Sequence, residues 1–483
     1  MKHFFVIKNN PLFYSFLCFA IIAVLSICNG YYIRMDIAET FFLGNDMKLF
    51  YPKHPPFSFW VSGVILKIIN HRDIYVVAGV VSCFLYFVNS VVGYFLARQI
   101  FSKPHEKILH CVVLFSLTMA FFLKRVELTP DLYFNTIATL FIVSTYFLVK
   151  NGKWHNFAAA VVLGWLLVLT KHQAILVFAA SFLPFVLTKE GRKVAFKLKF
   201  LFVIVVFALP VSLFYYYHII MGASDVKYVI DGKPNFNYFK ILKIILNVLI
   251  RFNLLVVMLI LFSKSARMTI VKSISLALNK IKNYDFNGVF LTCNTLGFIV
   301  FLTVSIYILK PDGMTRYIYS NIVPIICFGI FLLRRSILKI NDYKYLKNVV
   351  ISALCVTMLF VLIQDISRNN NGRGRMYKNM VHHFERQTNV DFETVVWWGR
   401  EFDRAYPYFT KKLKVIEDTA SSEKDMAFLQ DKNFLLLSGD SGMHLLEKYK
   451  TLFPNHKLIV MQPFEESTGM HHVQANAYLF VMK

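Results

Sequence analysis

Apolar runs of 15 to 25 residues, separated by short gaps rich in Lys and Arg, decide what this chain can fold into. A helix needs about 20 apolar residues to cross a hydrocarbon core of ~30 Å. Eleven runs come near that length: 11–30, 74–97, 108–123, 131–149, 156–170, 173–188, 200–220, 239–262, 287–309, 318–333 and 348–364. The fifth and sixth are short and separated only by Thr-Lys-His-Gln. The expected fold is an all-α polytopic membrane domain of about eleven spans, or up to thirteen if runs are merged or missed by the count.

The formal charge of +25 invites comparison with nucleic-acid-binding proteins. Its distribution argues against that class, because the cations sit between apolar runs rather than along one face or in a tail. The gaps RQIFSKPHEK, KNGKWH, KEGRKVAFKLK, SKSARMTIVKSISLALNKIK and RRSILKINDYKYLK, with the N-terminal MKHFFVIK, are the basic ones. Placing them in the cytoplasm lets all eleven spans alternate without conflict. The N-terminus is then cytoplasmic and the C-terminal tail extracytoplasmic, with a bacterial inner membrane as the expected location. No small-x-small cleavage pattern follows the first run, so it reads as a retained span.

This orientation gathers the chemically loaded segments on one side: 31–73, 124–131, 170–173, 223–237 and 310–319. The first outer loop carries Asp36 and Glu39, three residues apart, then Lys53 and His54 before Pro55-Pro56. Asp36 is either a partly desolvated base or a solvated carboxylate paired with Arg34 or Lys53. Glu39 is a second acid, a metal ligand or a first-turn charge. The paired prolines force a non-helical entry to FSFWVSGVILKII, which reads as a short interfacial helix. Lys53 and His54 at its mouth could neutralise a phosphate or simply anchor the chain. In LTPD, Pro130 suits the first helical position, and Asp131 either caps or holds a basic partner. Lys171, and Arg316 between Met-Thr and Tyr317, read as anchors or as phosphate-binding cations. Arg251, inside an apolar run, should face a cavity or partner.

The seven cysteines show no CxxC spacing, so neither disulfide framework nor metal cluster is expected. Two acids three apart could hold a divalent cation, but no His/Cys ligand set supports one. Residues 365–483 differ in composition. A polar stretch, RNNNGRGRMYKN, reads as a linker. Strand-like KLKVIED, NFLLLSG, HKLIVMQPF and NAYLFVMK alternate with helix-like SSEKDMAFLQDK and SGMHLLEKYKTLF. The expectation is a small extracytoplasmic α/β domain after a transmembrane domain of 1–364. The pairs His382-His383 and His471-His472 are expected to be solvated.

In order, DIAE…YPKHPPFSFW, LTPD, LTKHQAIL and RYIYSNIVPI resemble the integral-membrane glycosyltransferases of the C superfamily, in the protein mannosyltransferase-like branch that includes aminoarabinose transferases of lipid A. The resemblance covers about 20–335. It implies a polyprenyl-phosphate sugar as donor (undecaprenyl if the chain is bacterial) and an extracytoplasmic glycan, lipid or protein acceptor, lipid A among them. It places the first-loop acid on Asp36, the basic residue before proline on His54 with Lys53 beside it, the T-P-D acid on Asp131, the later basic residue on Lys171, and a phosphate-meeting arginine on Arg316. Two departures stand out: Asp36 is followed by Ile37 rather than Glu, and His54 stands where many relatives carry Lys. The rival class is a transporter or flippase of a lipid-linked saccharide, for which related broken helices are expected and no repeat is seen.

Overall fold

The computed structural model describes residues 10–28, 40–41, 44, 47, 55–69, 74–124, 128–197, 208, 211–213, 253–261, 263–309, 318–340, 343–371, 373–387, 390–392, 394–398, 414–417, 423–438, 443–468 and 471–483. The chain divides into two compact units. One comprises 1–24, 49–58 and 80–361, and the other 25–48, 59–79 and 362–483.

The apolar runs become helices: α1 Pro11–Cys28, α2 Phe57–Ile69, α3 Ile74–Ile100, α4 Lys107–Lys124, α5 Pro130–Asn151, α6 Trp154–Val168 and α7 Ala174–Leu187. Next come α8 Lys189–Ala195, α9 Leu254–Leu261, α10 Ile270–Lys282, α11 Phe286–Thr292, α12 Phe298–Leu309, α13 Ile322–Leu338 and α14 Tyr343–Asn371. Among the described residues, five stretches are long and apolar enough to cross a membrane: Val77–Ile100, Pro104–Phe122, Pro130–Asn151, Phe286–Val304 and Tyr319–Leu338. The protein is an integral membrane protein. The expected spans at 11–30, 156–170 and 348–364 appear as shorter apolar helices, and 173–188 as a broken one. Those at 200–220 and 239–262 fall largely outside the described residues.

Local sequence fixes the span ends. Thr129 is extended, Pro130 takes the first helical position of α5, and Gly152 ends that helix in the left-handed conformation (φ 59°). Its N–H bonds the Leu148 carbonyl at 2.9 Å, an ending that suits glycine. The chain then turns straight into α6, which packs back along α5. At the far end of α7, Thr188 breaks the helix. Its hydroxyl donates to the Pro184 carbonyl at 2.7 Å and accepts from the Gly191 N–H at 3.0 Å, so α8 departs at 103°. A side chain at Gly191 would strike the Pro184 carbonyl and Phe185 Cα. Between α11 and α12, Cys293–Gly297 forms a π-helical turn. An ion pair joins the partly buried Arg334 of α13 to the buried Glu106 just before α4, and Glu106 also accepts the Lys103 N–H at 3.0 Å.

In the second unit a six-stranded sheet has the order β2-β1-β3-β6-β4, with β5 also on β6. The strands are β1 Thr394–Trp398, β2 Lys414–Glu417, β3 Phe434–Ser438, β4 His456–Val460, β5 Phe464–Thr468 and β6 His471–Met482. Pairing is parallel for β1 with β2 and β3, and antiparallel for β6 with β3, β4 and β5. Alternate residues serve opposite faces. Val395, Leu435, Leu437 and Leu479 bury against Met376, Met380 and Phe384 of α15 (Arg373–Glu385). Val396, Phe434, Leu436 and Phe480 bury with Leu429, at the end of α16 (Glu423–Leu429), and with Tyr449 of α17 (Met443–Leu452) and Phe453 just beyond it.

Two expectations are corrected here. The stretch read as a linker is helical as far as Asn371, and α15 begins at Arg373. Its apolar residues recur four apart, so helix is the conformation that buries them on the sheet. Nor is His383 a solvated surface residue: its Nε2 lies 3.1 Å from the Gln462 carbonyl oxygen and its ring packs on Phe464. His382 is exposed, as expected.

Candidate functional site

Two of the residues singled out in the sequence meet in the structure. The Lys171 ammonium donates to Asp131 Oδ1 at 2.5 Å, and the residues are 6% and 7% exposed. The α5–α6 hairpin explains the meeting. From Asp131 to Lys150 the chain advances 19 residues, about 28 Å at 1.5 Å per residue, and from Trp154 to Lys171 it returns 17, about 26 Å. The two legs match, so Lys171 comes back level with Asp131. The connection after α6 is held by the Lys171 N–H on the Leu167 carbonyl at 3.1 Å and the Ala174 N–H on the Lys171 carbonyl at 3.2 Å. The Thr170 hydroxyl bonds the Leu166 carbonyl at 2.6 Å. Asp131 is thus more than a cap. It lies in the first turn of α5, where the helix dipole favours an anion, and it balances a buried ammonium.

The Pro-Pro segment reaches the same connection. The Phe57 N–H donates to the Leu169 carbonyl at 2.9 Å, two residues before Lys171. Pro55 and Pro56 are buried. The helix expected after them is present as α2, with Ser58, Phe59, Ser62, Gly63 and Leu66 buried on one face. In the other unit, Gly63 crosses Gly44 at backbone distance. A Cβ on Gly63 would strike the Gly44 carbonyl, and one on Gly44 would lie 2.5 Å from the Phe59 carbonyl oxygen. Only glycine permits this approach, and it ties the first outer loop to α2.

A polar stripe that sequence reasoning missed runs down α5 from Asp131. Asn135 and Thr139 follow at four-residue intervals, both about 1% exposed. Among the described residues, neither Asn135 Nδ2 nor Thr139 Oγ1 has a hydrogen-bond partner. Beside them, Asn89 of α3 donates to the Thr136 hydroxyl at 2.8 Å. The D-x-x-x-N-x-x-x-T spacing was a readable signal. A second missed group surrounds the π-turn. Asn294 accepts the Ser181 hydroxyl at 2.9 Å, and its backbone carbonyl accepts the Asn321 side chain at 2.8 Å. Asn321 reaches this π-turn carbonyl from just after segment 310–317.

Asp36, Glu39, Lys53, His54, Arg316 and Arg251 lie outside the described residues. Among the described residues, no three His, Cys, Asp or Glu side chains gather as metal ligands.

Residues 53–217 match the model of the dolichyl-phosphate-mannose-protein mannosyltransferase family. That segment contains both Asp131 and Lys171. The fold matches the crystal structure of ArnT from Cupriavidus metallidurans in the apo state, with a TM-score of 0.59 over 96% of this chain and 97% of that one, at 11% identity. The resemblance to the C-superfamily membrane glycosyltransferases holds. Comparison with curated proteins returned no match. At 11% identity the ArnT likeness speaks for the fold alone. The family match places the mannosyltransferase likeness on the stretch that carries the T-P-D acid and its lysine partner.

Proposed function

We propose that this protein is a membrane glycosyltransferase that moves a sugar from a polyprenyl-phosphate donor to a glycan, lipid or protein acceptor at the extracytoplasmic face. The observation that carries the reading is the buried Asp131–Lys171 pair, at the end of a span and within the family-matched segment. A buried ion pair in a membrane span is expensive and marks function more often than stability.

The donor already carries its activation, since the bond from the anomeric carbon to the phosphate oxygen is the one that breaks. The acceptor hydroxyl or amine attacks that carbon and loses its proton to a carboxylate, a role assigned here to Asp36. Such help is typically worth ~10²–10⁴-fold. The electron pair of the broken bond goes to the leaving polyprenyl phosphate. Lys53, His54, Lys171 and Arg316 are assigned to its negative charge, which fixed cations stabilise strongly where water is scarce. Asp131 holds Lys171 in place for that task, and Glu39 serves as the second acid of the loop. No nucleotide is needed for these steps.

The test uses the purified full chain in detergent, given a polyprenyl-phosphate sugar and candidate acceptors, with products read by mass spectrometry. Transfer by the wild type and its loss in Asp36→Asn support the enzyme. Donor binding without turnover, in a preparation with no second leaflet to move it to, overturns the reading in favour of transport.

A further inference from the structure

The same spans enclose a second, separate feature at their other end. A cavity of about 1030 Å³ lies where α5 and α7 end and α11 begins, lined by Lys150, Lys189, Arg192, Tyr284, Asp285 and Phe286 among others. Lys150 stands 19 residues along α5 from Asp131, about 28 Å away by helix rise, so the cavity is no part of the site described above. The charge rule places it on the cytoplasmic face.

Three cations and two carboxylates, Glu190 and Asp285, line it. Asp285 is engaged, accepting the Gly288 N–H at 3.1 Å. Arg192 is fixed at the break, donating to the Val186 carbonyl at 2.8 Å. Lys150 and Lys189 form no ion pair among the described residues. Beside these charges lie the exposed apolar side chains of Val186 and Leu187.

The rim carries an independent sign. Tyr284 has φ 56° and follows the C-cap of α10, with the Asp285 N–H reaching back to the Lys280 carbonyl at 3.0 Å. This is a helix ending where glycine is the usual residue, and a tyrosine there is strained. Its side chain is mostly exposed, 63%, so packing does not repay the strain. Strained residues of this kind cluster where ligands bind.

We propose that this cavity binds the phosphate group of an anionic membrane lipid, with Lys150, Lys189 and Arg192 on the phosphate and Tyr284, Val186 and Leu187 along the glycerol and acyl region. Basic pockets between spans on the cytoplasmic side take such headgroups. The proposal is independent of the sugar-transfer reading.

The test is native mass spectrometry of the full chain from micelles doped with phosphatidylglycerol or phosphatidylcholine. The wild type is expected to retain phosphatidylglycerol preferentially. Lys150→Gln with Lys189→Gln should lower retention about fivefold per lysine. Lys264→Gln with Lys272→Gln, matched in charge but away from the cavity, should leave it unchanged. Tyr284→Gly is expected to raise the unfolding temperature while weakening retention, which separates binding from folding. Equal loss in the matched control would show diffuse surface charge and overturn the site. So would equal retention of the two lipids, or unchanged retention in Tyr284→Gly. Inorganic phosphate that displaces the lipid and stabilises the protein as well as phosphatidylglycerol does would overturn the lipid as the source of the phosphate.

Discussion

Replacing Lys171 by Met takes from the buried Asp131 carboxylate the ammonium that bonds it. At 2.5 Å and an effective dielectric constant of ~20, the gross attraction is about 6–7 kcal/mol. Desolvation of both ions offsets most of it, so the pair adds little net stability. Removing one partner is different, because the other keeps its burial cost, and such losses run at about 3–5 kcal/mol. Lys171→Met and Asp131→Asn should therefore each lower thermal stability, the former more, since the Asn carbonyl oxygen can still accept from the Lys171 ammonium whereas Met offers Asp131 no donor. The double variant should be more stable than the sum of the single losses by about 1.5–3 kcal/mol. The assay is the folded fraction in detergent after graded heating, by fluorescence-detected size exclusion, on all four corners of the cycle. Single losses that simply add would mean that the two side chains do not depend on each other. The hairpin would then have no bearing on how Lys171 is held.

Asp36→Asn should keep the wild-type elution profile and melting curve while transfer drops by about 10²-fold or more; a product yield close to wild type would remove Asp36 from the role of base. Gly63→Ala pushes a methyl group into the Gly44 carbonyl, a kind of overpacking that costs about 1–3 kcal/mol. It should reduce transfer more than donor affinity, measured as kcat against KM, and an unchanged kcat would show that the glycine crossing does not set the loop. Asn135→Leu removes a buried amide whose nitrogen has no partner among the described residues, and it is expected to raise stability by about 1 kcal/mol while lowering kcat/KM. A drop in stability would mean that the amide is satisfied in the native state.

The hairpin that joins Asp131 to Lys171 was legible in the sequence, because Pro130, Gly152 and two legs of similar length are all visible there. A basic partner for Asp131 was among the readings, but that Lys171 is this partner was not, since a first-turn acid passes for a cap and a lone lysine at the end of an apolar run for an interfacial anchor. The tail strands β2, β3 and β4 and the second half of β6 follow apolar runs and were expected. β1, Thr-Val-Val-Trp-Trp, was missed because a strand with helices on both faces shows no alternation. β5, Phe-Glu-Glu-Ser-Thr, was missed because its two acids resemble loop. The π-turn in Cys-Asn-Thr-Leu-Gly has no sequence signature, since it is one additional residue absorbed within an otherwise ordinary helix. The polar stretch before α15 misled because Asn and Gly argue locally for a turn, whereas Met376, Met380 and Phe384 decide the matter through distant partners on the sheet.

The Gly152 hairpin also works as a gauge of chain length. One residue inserted into either leg would turn the far end by about 100° and lift it by about 1.5 Å, carrying lysine or aspartate to the wrong side of its helix. Seven inserted residues, nearly two full turns, would restore the facing but leave the partners about 10 Å apart. Length variation among sequences built on this plan should therefore collect in the gaps outside 130–171, and a paired insertion of equal size in both legs is the kind of indel that the hairpin can accept.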